Sequence, residues 1–494
     1  MIARTLLALL SWTVFIGCSP KNEDWNSYVT DVTSASSPMT ADLNEDGILD
    51  IVMGAGSDEW NTTEFGVIAI NGATGNQLWH SPARNQIVGS AIFQDITGDG
   101  TPDVFIGGRS AELQALDGKT GIKIWEFYSK PGKMVSRKDG WYNFYNGQFV
   151  ADQDGDGFRD LLISNGGDAA IPRGMKYRPP GKLMLLSAKT GKILAQDFMP
   201  DGQETYFSPV LMNPLSKNPE IIFGSGGESK PGHLYLCRLS DLLNKNLKAS
   251  KILDSTSFKG YEAPPVLADF TRDGIKDILF NTNEAGIKLL DGTTHELIWA
   301  VFNENAEVFS QPAVGYFTGN DSIPDVFVQI AIGEYPVYSS TKQLLIDGST
   351  GHIVKEWKGK RFTYSSPLVA DLDSDGVDEV ILNSVKDSII NEKPKPFFEL
   401  TTYNFATHNV GYLAERIDGA CFASTPWLGD LDGDQKLDIL FSGSPATSSE
   451  FPGSTIFEKP QRYLGIYRRK LNIPVSRVKW GAYMGHEGRS HWNH

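Results

Sequence analysis

The stretch Asp371-Leu-Asp373-Ser-Asp375-Gly376-Val-Asp-Glu379 sets a pattern that recurs along the whole chain. Oxygen-bearing side chains stand at positions 1, 3, 5 and 9 of this loop, and glycine stands at position 6. Alternate carboxylates on a tight turn converge on one point, and Ca²⁺ takes about six to eight oxygen ligands in a flexible cage. The spacing therefore predicts a cation-binding loop.

The same frame recurs in loops 42–50, 95–103, 152–160, 269–277 and 430–438. Threonine stands at position 3 in loops 95–103 and 269–277, and Gln435 replaces the glycine in the last loop. Two degenerate copies, 213–220 and 320–325, have lost the ligand set, and we expect no cation there. The predicted metal ligands are Asp42, Asn44, Asp46, Asp50, Asp95, Thr97, Asp99, Asp103, Asp152, Asp154, Asp156, Asp160, Asp269, Thr271, Asp273, Asp277, Asp371, Asp373, Asp375, Glu379, Asp430, Asp432, Asp434 and Asp438.

The formal net charge of −15 comes largely from these loops. Carboxylates packed this closely repel one another unless a cation lies among them, so the chain is expected to bind several structural Ca²⁺ ions, up to six. The alternative, for the threonine-containing loops above all, is an acidic turn that is merely solvated. The negative charge argues against nucleic acid as a partner, because binding to a phosphate backbone depends on basic residues.

Each loop is flanked by short apolar runs bounded by turns, which are typical of strands covered on both faces. The run before the loop often opens with a small residue and a proline, as in Ser37-Pro38. A second pair of strands follows around an Asn-Gly or Asp-Gly turn, whose glycine we expect to supply a positive φ. A tryptophan follows that turn and is expected to dock between neighbouring units. Four strands per unit, repeated radially, predict an all-β fold, an eight-bladed β-propeller of four-stranded blades, with seven blades as the alternative.

The strand–DxDxDGxxD–strand unit resembles the FG-GAP (VCBS-type) repeat of integrin α-chain propellers and bacterial surface proteins. The turns Asp117-Gly-Lys-Thr-Gly121 and Asp347-Gly-Ser-Thr-Gly351 look like those of quinoprotein-type propellers. The resemblance covers nearly all of residues 35–480. It implies that the calcium sites are structural. The segment 480–486 is similar to the aromatic segment that closes such rings, and the sequence leaves open which terminus closes this one.

The first residues are typical of an export signal, because Arg4 precedes an apolar run that is too short to span a bilayer. Phe15-Ile16-Gly17-Cys18 resembles a bacterial lipobox, which implies a signal peptide at 1–17, lipidation of Cys18, a tether at 18–34 and a C-terminal tail at 481–494 around the propeller. The chain is then exported and held by lipid alone in the bacterial cell envelope, at the outer membrane, periplasm or cell surface. A plain cleaved signal is the alternative. Cys237 and Cys421 are expected to be buried free thiols.

In a four-stranded blade, the acidic loops and the Asp-Gly turns emerge on one face, called here the acidic-loop face. The longer connections emerge on the other, called here the long-loop face, and long loops on a rigid scaffold often carry function. Aromatic side chains beside arginines in two of these connections suit a sugar or an acidic glycan, and the alternative is that they plug the channel. The predicted ligand-binding residues are Trp141, Tyr142, Tyr145, Arg173, Tyr177 and Arg178.

Catalytic motifs are sparse. His295-Glu-Leu-Ile-Trp299 lacks the second histidine of a zincin, and the chain has no GxSxG elbow and no P-loop. The leading hypothesis is a non-catalytic, calcium-stabilised envelope propeller that binds a protein or a glycan. The alternative is a polysaccharide-active enzyme, since some rhamnogalacturonan lyases are eight-bladed calcium propellers with similar loops. An envelope-assembly scaffold is a third possibility.

Overall fold

The computed structural model describes residues 24–129, 135–168, 170–172, 174–319, 322–335, 337–359, 363–390, 393–421, 423–445, 463–485 and 488–492. The expected signal peptide, Cys18 and Arg173 lie outside these residues. The regular secondary structure is almost all β, with 46% strand and 3% helix, as predicted. No helix within those ranges is long and apolar enough to cross a membrane.

After β1 (Trp25–Thr30), the chain forms sheet after sheet of sequential antiparallel strands. Sheet 1 contains β2 (Met39–Ala41), β3 (Asp50–Gly54), β4 (Thr63–Ile70) and β5 (Gln77–Ala83). Sheet 2 contains β6 (Ile92–Gln94), β7 (Asp103–Gly107), β8 (Leu113–Leu116) and β9 (Lys123–Glu126). A short helix, α1 (Val135–Lys138), precedes sheet 3, which contains β10 (Asn143–Phe144), β11 (Gln148–Val150), β12 (Asp160–Gly166), β13 (Lys182–Leu186) and β14 (Ile193–Phe198).

Sheets 4 to 6 continue the same order. Sheet 4 contains β15 (Val210–Leu211), β16 (Glu220–Gly224), β17 (His233–Arg238) and β18 (Lys251–Ser255), with helix α2 (Leu239–Leu243) and a 3₁₀ turn (Leu247–Ala249) before its last strand. Sheet 5 contains β19 (Val266–Ala268), β20 (Asp277–Asn281), β21 (Gly286–Leu290) and β22 (Leu297–Phe302). Sheet 6 contains β23 (Ala306–Glu307), β24 (Ala313–Gly315), β25 (Asp325–Glu334), β26 (Val337–Ile346) and β27 (Ile353–Gly359). The degenerate loops of sheets 4 and 6 have therefore kept their strands.

The remaining strands form one ten-stranded sheet that contains two sets in the same order. Set 7 consists of β28 (Leu368–Ala370), β29 (Glu379–Ile390), β30 (Lys393–Asn404) and β31 (Asn409–Tyr412), and β32 (Ile417–Ala420) joins it to set 8. Set 8 consists of β33 (Trp427–Gly429), β34 (Lys436–Pro445) and β35 (Tyr463–Pro474), followed by a 3₁₀ turn (Val475–Arg477) and β36 (Val478–Trp480). The outer edge of β35 pairs with β1, so the N-terminal strand completes this set.

A belt of hydrogen bonds runs around the ring where the first strands begin. The backbone N–H of Ser37 donates to Ser90 Oγ of the next sheet at 3.1 Å, and the chain of contacts returns when Thr425 N–H of set 8 donates to Ser37 Oγ at 3.0 Å. The intermediate links are Ser90 to Asn146, Asn146 to Ser208, Gln311 to Ser366 and Ser366 to Thr425, and the Gln311 side chain bridges to the Pro264 carbonyl. The small polar residues that open the units thus link neighbouring units and join set 8 back to sheet 1, and the fold is a β-propeller.

The tryptophans link adjacent units, as expected. Trp79 Nε1 donates to the carbonyl of Gly118 in the next sheet at 2.8 Å, and Trp25 of β1 donates to Gly72 at 2.8 Å. Trp125 and Trp299 make the same bond, to Ala188 and Gly348. N-terminal β1 therefore supplies the tryptophan that set 8 would otherwise lack.

The expectation that the Asn-Gly and Asp-Gly glycines supply a positive φ is wrong. Gly72 does not have a positive φ. It must be glycine because a Cβ there would overlap the backbone carbonyl of Leu49 in the preceding acidic loop. The positive φ, +74°, belongs to Gly75, whose Cα packs against the Trp25 ring. The turn is shaped by these two close approaches.

The C-terminal segment lies along the inner strands. β36 pairs with β28, Gly481 accepts a hydrogen bond from the Leu428 N–H, and His491 Nε2 lies 2.7 Å from the Leu211 carbonyl. The segment thus fills much of the channel. The sequence analysis had considered that role for the long loops, as the alternative to ligand binding. Both remaining cysteines, Cys237 and Cys421, are buried and free, as predicted.

Candidate functional site

In loops 42–50, 95–103 and 269–277, the position-9 carboxylate joins the acidic loop to the turn between strands three and four. Asp50 is fully buried, and its Oδ2 accepts from the Leu43 N–H while its Oδ1 accepts from the Gly72 N–H, both at 3.0 Å. Burial raises the pKa of Asp50 to about 6. Asp103 and Asp277 make the equivalent bonds to Gly118 and Gly292. The acidic loops and the Asp-Gly turns therefore share one face, as predicted.

Three of the six predicted loops bring three carboxylates to within 4.8 Å of one another, counted over the described ranges. Burial raises the pKa of Asp160 to about 6 and that of Glu379 to about 7, and the neighbouring carboxylates of each loop add to both shifts. The three groups are Asp152, Asp154 and Asp160; Asp371, Asp373 and Glu379; and Asp430, Asp432 and Asp438. Such a concentration of carboxylate oxygens suits a hard cation.

Loops 42–50 and 152–160 each contain a buried carboxylate oxygen with no hydrogen-bond partner, Asp42 Oδ1 and Asp160 Oδ1. Their sister oxygens accept backbone N–H groups at 3.0 Å from Gly47 and at 2.7 Å from Gln153. An unpaired buried oxygen is costly, and a cation among the loop oxygens would satisfy it. The residues of loops 42–50 and 152–160 therefore fit Ca²⁺.

Loop 430–438 differs, because basic side chains already lie among its carboxylates. Arg468 Nη2 lies 2.6 Å from Asp432 and 2.8 Å from Asp438, and all three side chains are fully buried. Lys470 lies 2.7 Å from Asp432 and 2.8 Å from Asp434. These two basic side chains offset part of the negative charge of the loop's four carboxylates and reduce its need for a metal ion.

The two threonine-containing loops also use their oxygens internally. The Thr97 hydroxyl donates to Asp95 at 3.3 Å, and the Thr271 hydroxyl donates to Asp277 at 3.5 Å. In loop 371–379, Asn404 donates to Glu379 at 2.5 Å and Arg477 donates to Asp371 at 2.7 Å. Loop 152–160 has both a cluster of three carboxylates and an unpaired buried oxygen and fits Ca²⁺ best, whereas loops 371–379 and 42–50 have one of these features each.

On the long-loop face, Arg178 is the centre of a buried cluster. Its Nε donates to Glu204 at 2.6 Å, its Nη1 donates to the Ile171 carbonyl at 2.7 Å, and its Nη2 donates to the Tyr206 hydroxyl. Tyr145 lies beside this cluster, with its ring centroid 6.0 Å from that of Tyr206. Burial raises the pKa of both tyrosines and of Glu204. These groups hold the loop 168–178 in place.

The other predicted ligand residues are separated. Trp141 packs against Phe127 at 5.1 Å between ring centroids, and Lys182 Nζ lies 3.9 Å from its ring centroid. The Tyr142 N–H donates to Asn165, whereas Tyr177 is exposed over 72% of its surface. The structure thus brings Tyr145 and Arg178 together but leaves Trp141 and Tyr177 outside their cluster.

A ring of side chains two residues before the belt lines the channel on this face, and it is asymmetric. One half is small or aliphatic: Ala35, Val88 and Ala423. The other half carries Tyr206, Phe309 and Tyr364 beside the channel and Glu262 at the equivalent position of sheet 5. Beside the small residues a cavity of about 420 Å³ opens, lined in part by Asp58, Glu59, Gln86, Arg109, Ser442 and Ser444.

The motif-based reasoning missed this cavity and the Glu204 and Glu262 carboxylates. The signal for Glu262 lies in the offset from the small-residue–proline pair, because the residue two positions earlier faces the channel. Asp58, Glu59 and Arg109 have no such signal, since loops of unequal length carry them.

No protein-family model matches the chain. It is 22% identical over 404 residues to human Protein FAM234B, over 75% of this chain but 60% of that protein, so it spans less than two thirds of this relative. An exotype rhamnogalacturonan lyase, YesX, superposes with a TM-score of 0.52 at 12% identity, over 90% of this chain and 74% of that one. The rhamnogalacturonan lyase PL11 of Bacillus licheniformis gives 0.51 at 12% identity, over 89% and 72%. At these identities the likeness shows the propeller fold alone.

Proposed function

We propose that this chain is a calcium-stabilised, eight-bladed propeller of the bacterial cell envelope that binds a protein or glycan without catalysing a reaction. The eight blades are sheets 1 to 6 and sets 7 and 8. The hydrogen bonds that link successive units from Ser37 to Ser208 and from Pro264 through Thr425 back to Ser37, together with the pairing of β1 with β35, support this count. The FG-GAP-type identity of the repeats follows from the same loops and remains part of the proposal.

The calcium part rests on loops 42–50, 152–160 and 371–379. Their residues would hold the ion, and the ion would supply positive charge that ties each loop to its turn. Chelation with EGTA should lower the melting temperature by many degrees, because a ligand that binds only the folded state stabilises it by mass action. Asp160→Asn should reduce that chelator-sensitive shift, whereas Asp103→Asn, in a threonine-containing loop, serves as the matched control. An unchanged melt in EGTA would refute calcium binding.

The binding part rests on one observation about the long-loop face. Three pairs of oppositely charged side chains lie around the channel mouth: Arg178 with Glu204, Lys259 with Glu307, and Arg109 with Glu59 at 3.3 Å. Groups locked in ion pairs are poorly placed to exchange protons with a substrate. The cavity of about 420 Å³ is within the usual size range of ligand pockets, roughly 300–1,000 Å³.

A panel of neutral and acidic polysaccharides, mixed with calcium-loaded protein, tests this binding. Retention should fall at least several-fold in Arg109→Gln and Glu59→Gln and should not change in Lys189→Gln, on the opposite face. Retention that is equal in all variants would refute the assignment of the cavity. If the panel is not retained at all, the glycan arm is refuted, and cross-linking in intact cells through Glu59→Cys then tests a protein partner.

A polysaccharide lyase is the second candidate, and Lys182 favours it. This lysine is buried, its Nζ donates to the Gly140 carbonyl at 2.7 Å, and burial lowers its pKa to about 8. A lysine with such a pKa could remove a proton near neutral pH. The same panel, assayed for unsaturated sugar ends, decides: cleavage that is lost in Lys182→Gln supports a lyase, and absence of cleavage excludes it.

The envelope location is tested separately. Metabolic labelling with a radioactive fatty acid should mark the wild-type chain and should fail to mark Cys18→Ser. Equal labelling of both chains would refute lipidation at Cys18, and an unlabelled, exported wild type would support the plain cleaved signal.

A further inference from the structure

A second cavity, of about 190 Å³, opens near the acidic-loop face and is independent of the proposed binding site. It is bounded by the first strands β2, β6, β11 and β33, by Arg159 of loop 152–160, and by Gly488 and Arg489 of the C-terminal segment. The C-terminal segment contacts sheets 4 to 6 at Leu211, Leu267 and Gln311, and its residues Gly488 and Arg489 border the cavity.

Two arginines, Arg159 and Arg489, line this one cavity. Arg159 Nε donates to Gln94 at 2.9 Å, and its guanidinium carbon lies 5.0 Å from the Phe149 ring centroid. A carboxylate bound in this cavity would accept charge-assisted hydrogen bonds from guanidinium groups.

The remaining walls are mixed. Phe93, Phe149 and Trp427 supply apolar surface, and Thr40 supplies a hydroxyl group. The volume lies below the range of about 300–1,000 Å³ for pockets of drug-sized ligands. The cavity is therefore suited to a single small ligand with a charged end and an apolar body.

We propose that this cavity binds a small organic carboxylate, with the carboxylate between Arg159 and Arg489 and the apolar body against Phe93, Phe149 and Trp427. Arginine matches a carboxylate through its planar pair of donors, which a lysine cannot reproduce. Such a carboxylate is available from a free organic acid or from the C-terminal residue of another polypeptide, and both offer the same chemistry.

The test uses the full chain in calcium and compares N-acetyl-leucine with N-acetyl-leucinamide by titration calorimetry. These two molecules differ only in the charge of the terminal group. The acid should bind at least tenfold more tightly than the amide, and Arg159→Gln and Arg489→Gln should each weaken acid binding at least tenfold. Arg272→Gln, an exposed arginine in another acidic loop, should leave binding unchanged.

Equal binding of acid and amide, no binding of either, or acid binding that survives in both arginine variants would overturn the proposal. Arg159→Lys guards against loss of folding, because it keeps the charge and should bind the acid with an intermediate affinity. A peptide ending in Gly-Gly-Leu with a free carboxylate separates the sources: tighter binding than N-acetyl-leucine supports a chain terminus, and equal binding supports a free acid. Neither result changes what is expected of the Arg109→Gln and Glu59→Gln variants in the polysaccharide test. A failure of the carboxylate proposal is therefore distinct from a failure of the proposed function.

Discussion

Arg468→Ala is the most informative single substitution, because Arg468 stands where a cation would stand in loop 430–438. The side chain is fully buried and pairs with Asp432 and Asp438, which are also fully buried. Its Nη1 donates to the Gly72 carbonyl at 3.2 Å, which the Trp25 indole also contacts. The substitution therefore removes the counter-charge of one loop and a link between set 8 and sheet 1.

Removing one partner of a buried ion pair costs about 3–5 kcal/mol, since the remaining charge stays buried without compensation. Lys470 still pairs with Asp432, so we expect the lower end of this range, about 3 kcal/mol, in the presence of EGTA. The vacated space then lies beside Asp430, Asp432 and Asp438, whose oxygens lie within 4.8 Å of one another and suit Ca²⁺. At a free concentration 100-fold above its Kd, the ion would return about 2.7 kcal/mol.

The assay is urea unfolding of the wild type and the variant, each in EGTA and in excess calcium. The quantity that matters is the difference between the two proteins, because calcium in the other loops stabilises both. Arg238→Ala is the control: this arginine is 65% exposed and lies 3.9 Å from Glu220, and a surface pair contributes about 0–1 kcal/mol. If the free energy of unfolding of Arg468→Ala in EGTA lies within about 1 kcal/mol of the wild-type value, the structural role of Arg468 is refuted. If the difference between the two proteins is as large in calcium as in EGTA, Ca²⁺ does not replace the guanidinium group, and that part of the prediction is wrong.

Three further predictions concern the ring and the channel. Trp25→Phe should lower the free energy of unfolding, measured in urea, by about 0.5–1.5 kcal/mol, which is the net contribution of one hydrogen bond. An unchanged free energy of unfolding would show that Trp25 of β1 does not help to close the ring. Gly72→Ala should be poorly folded by circular dichroism because its Cβ would overlap the Leu49 carbonyl, and a native spectrum and melt would contradict the close approach. Burial and then the Glu228 charge raise the pKa of Glu262 to about 8. The folded state therefore binds more protons than the unfolded state between about pH 4.5 and 8. The free energy of unfolding should fall as pH rises through that window, by at most about 1.4 kcal/mol per pH unit. Glu262→Gln should lose that part of the slope, and identical pH profiles for both proteins would refute the shift.

The sequence by itself determined the repeating unit. Strand, acidic loop, strand, turn and tryptophan are each encoded within a few residues, because alternate carboxylates, a turn glycine and an apolar run act locally. For the same reason the sequence correctly predicted that Trp79 would dock on its neighbour and that the loops and turns would share a face.

Only the tertiary structure decided what each repeat does. Arg468 enters loop 430–438 from the adjacent strand β35, β1 joins β35 across more than 400 residues of chain, and Arg489 meets Arg159 only inside the closed channel. Arg178, predicted as a ligand residue, is buried against Glu204. The loop that carries it does not recur in the other units, so the repeat pattern does not predict its path. The physical reason is common to all four: their partners are brought close by ring closure and by strand pairing between distant segments, and no local spacing in the sequence records such contacts.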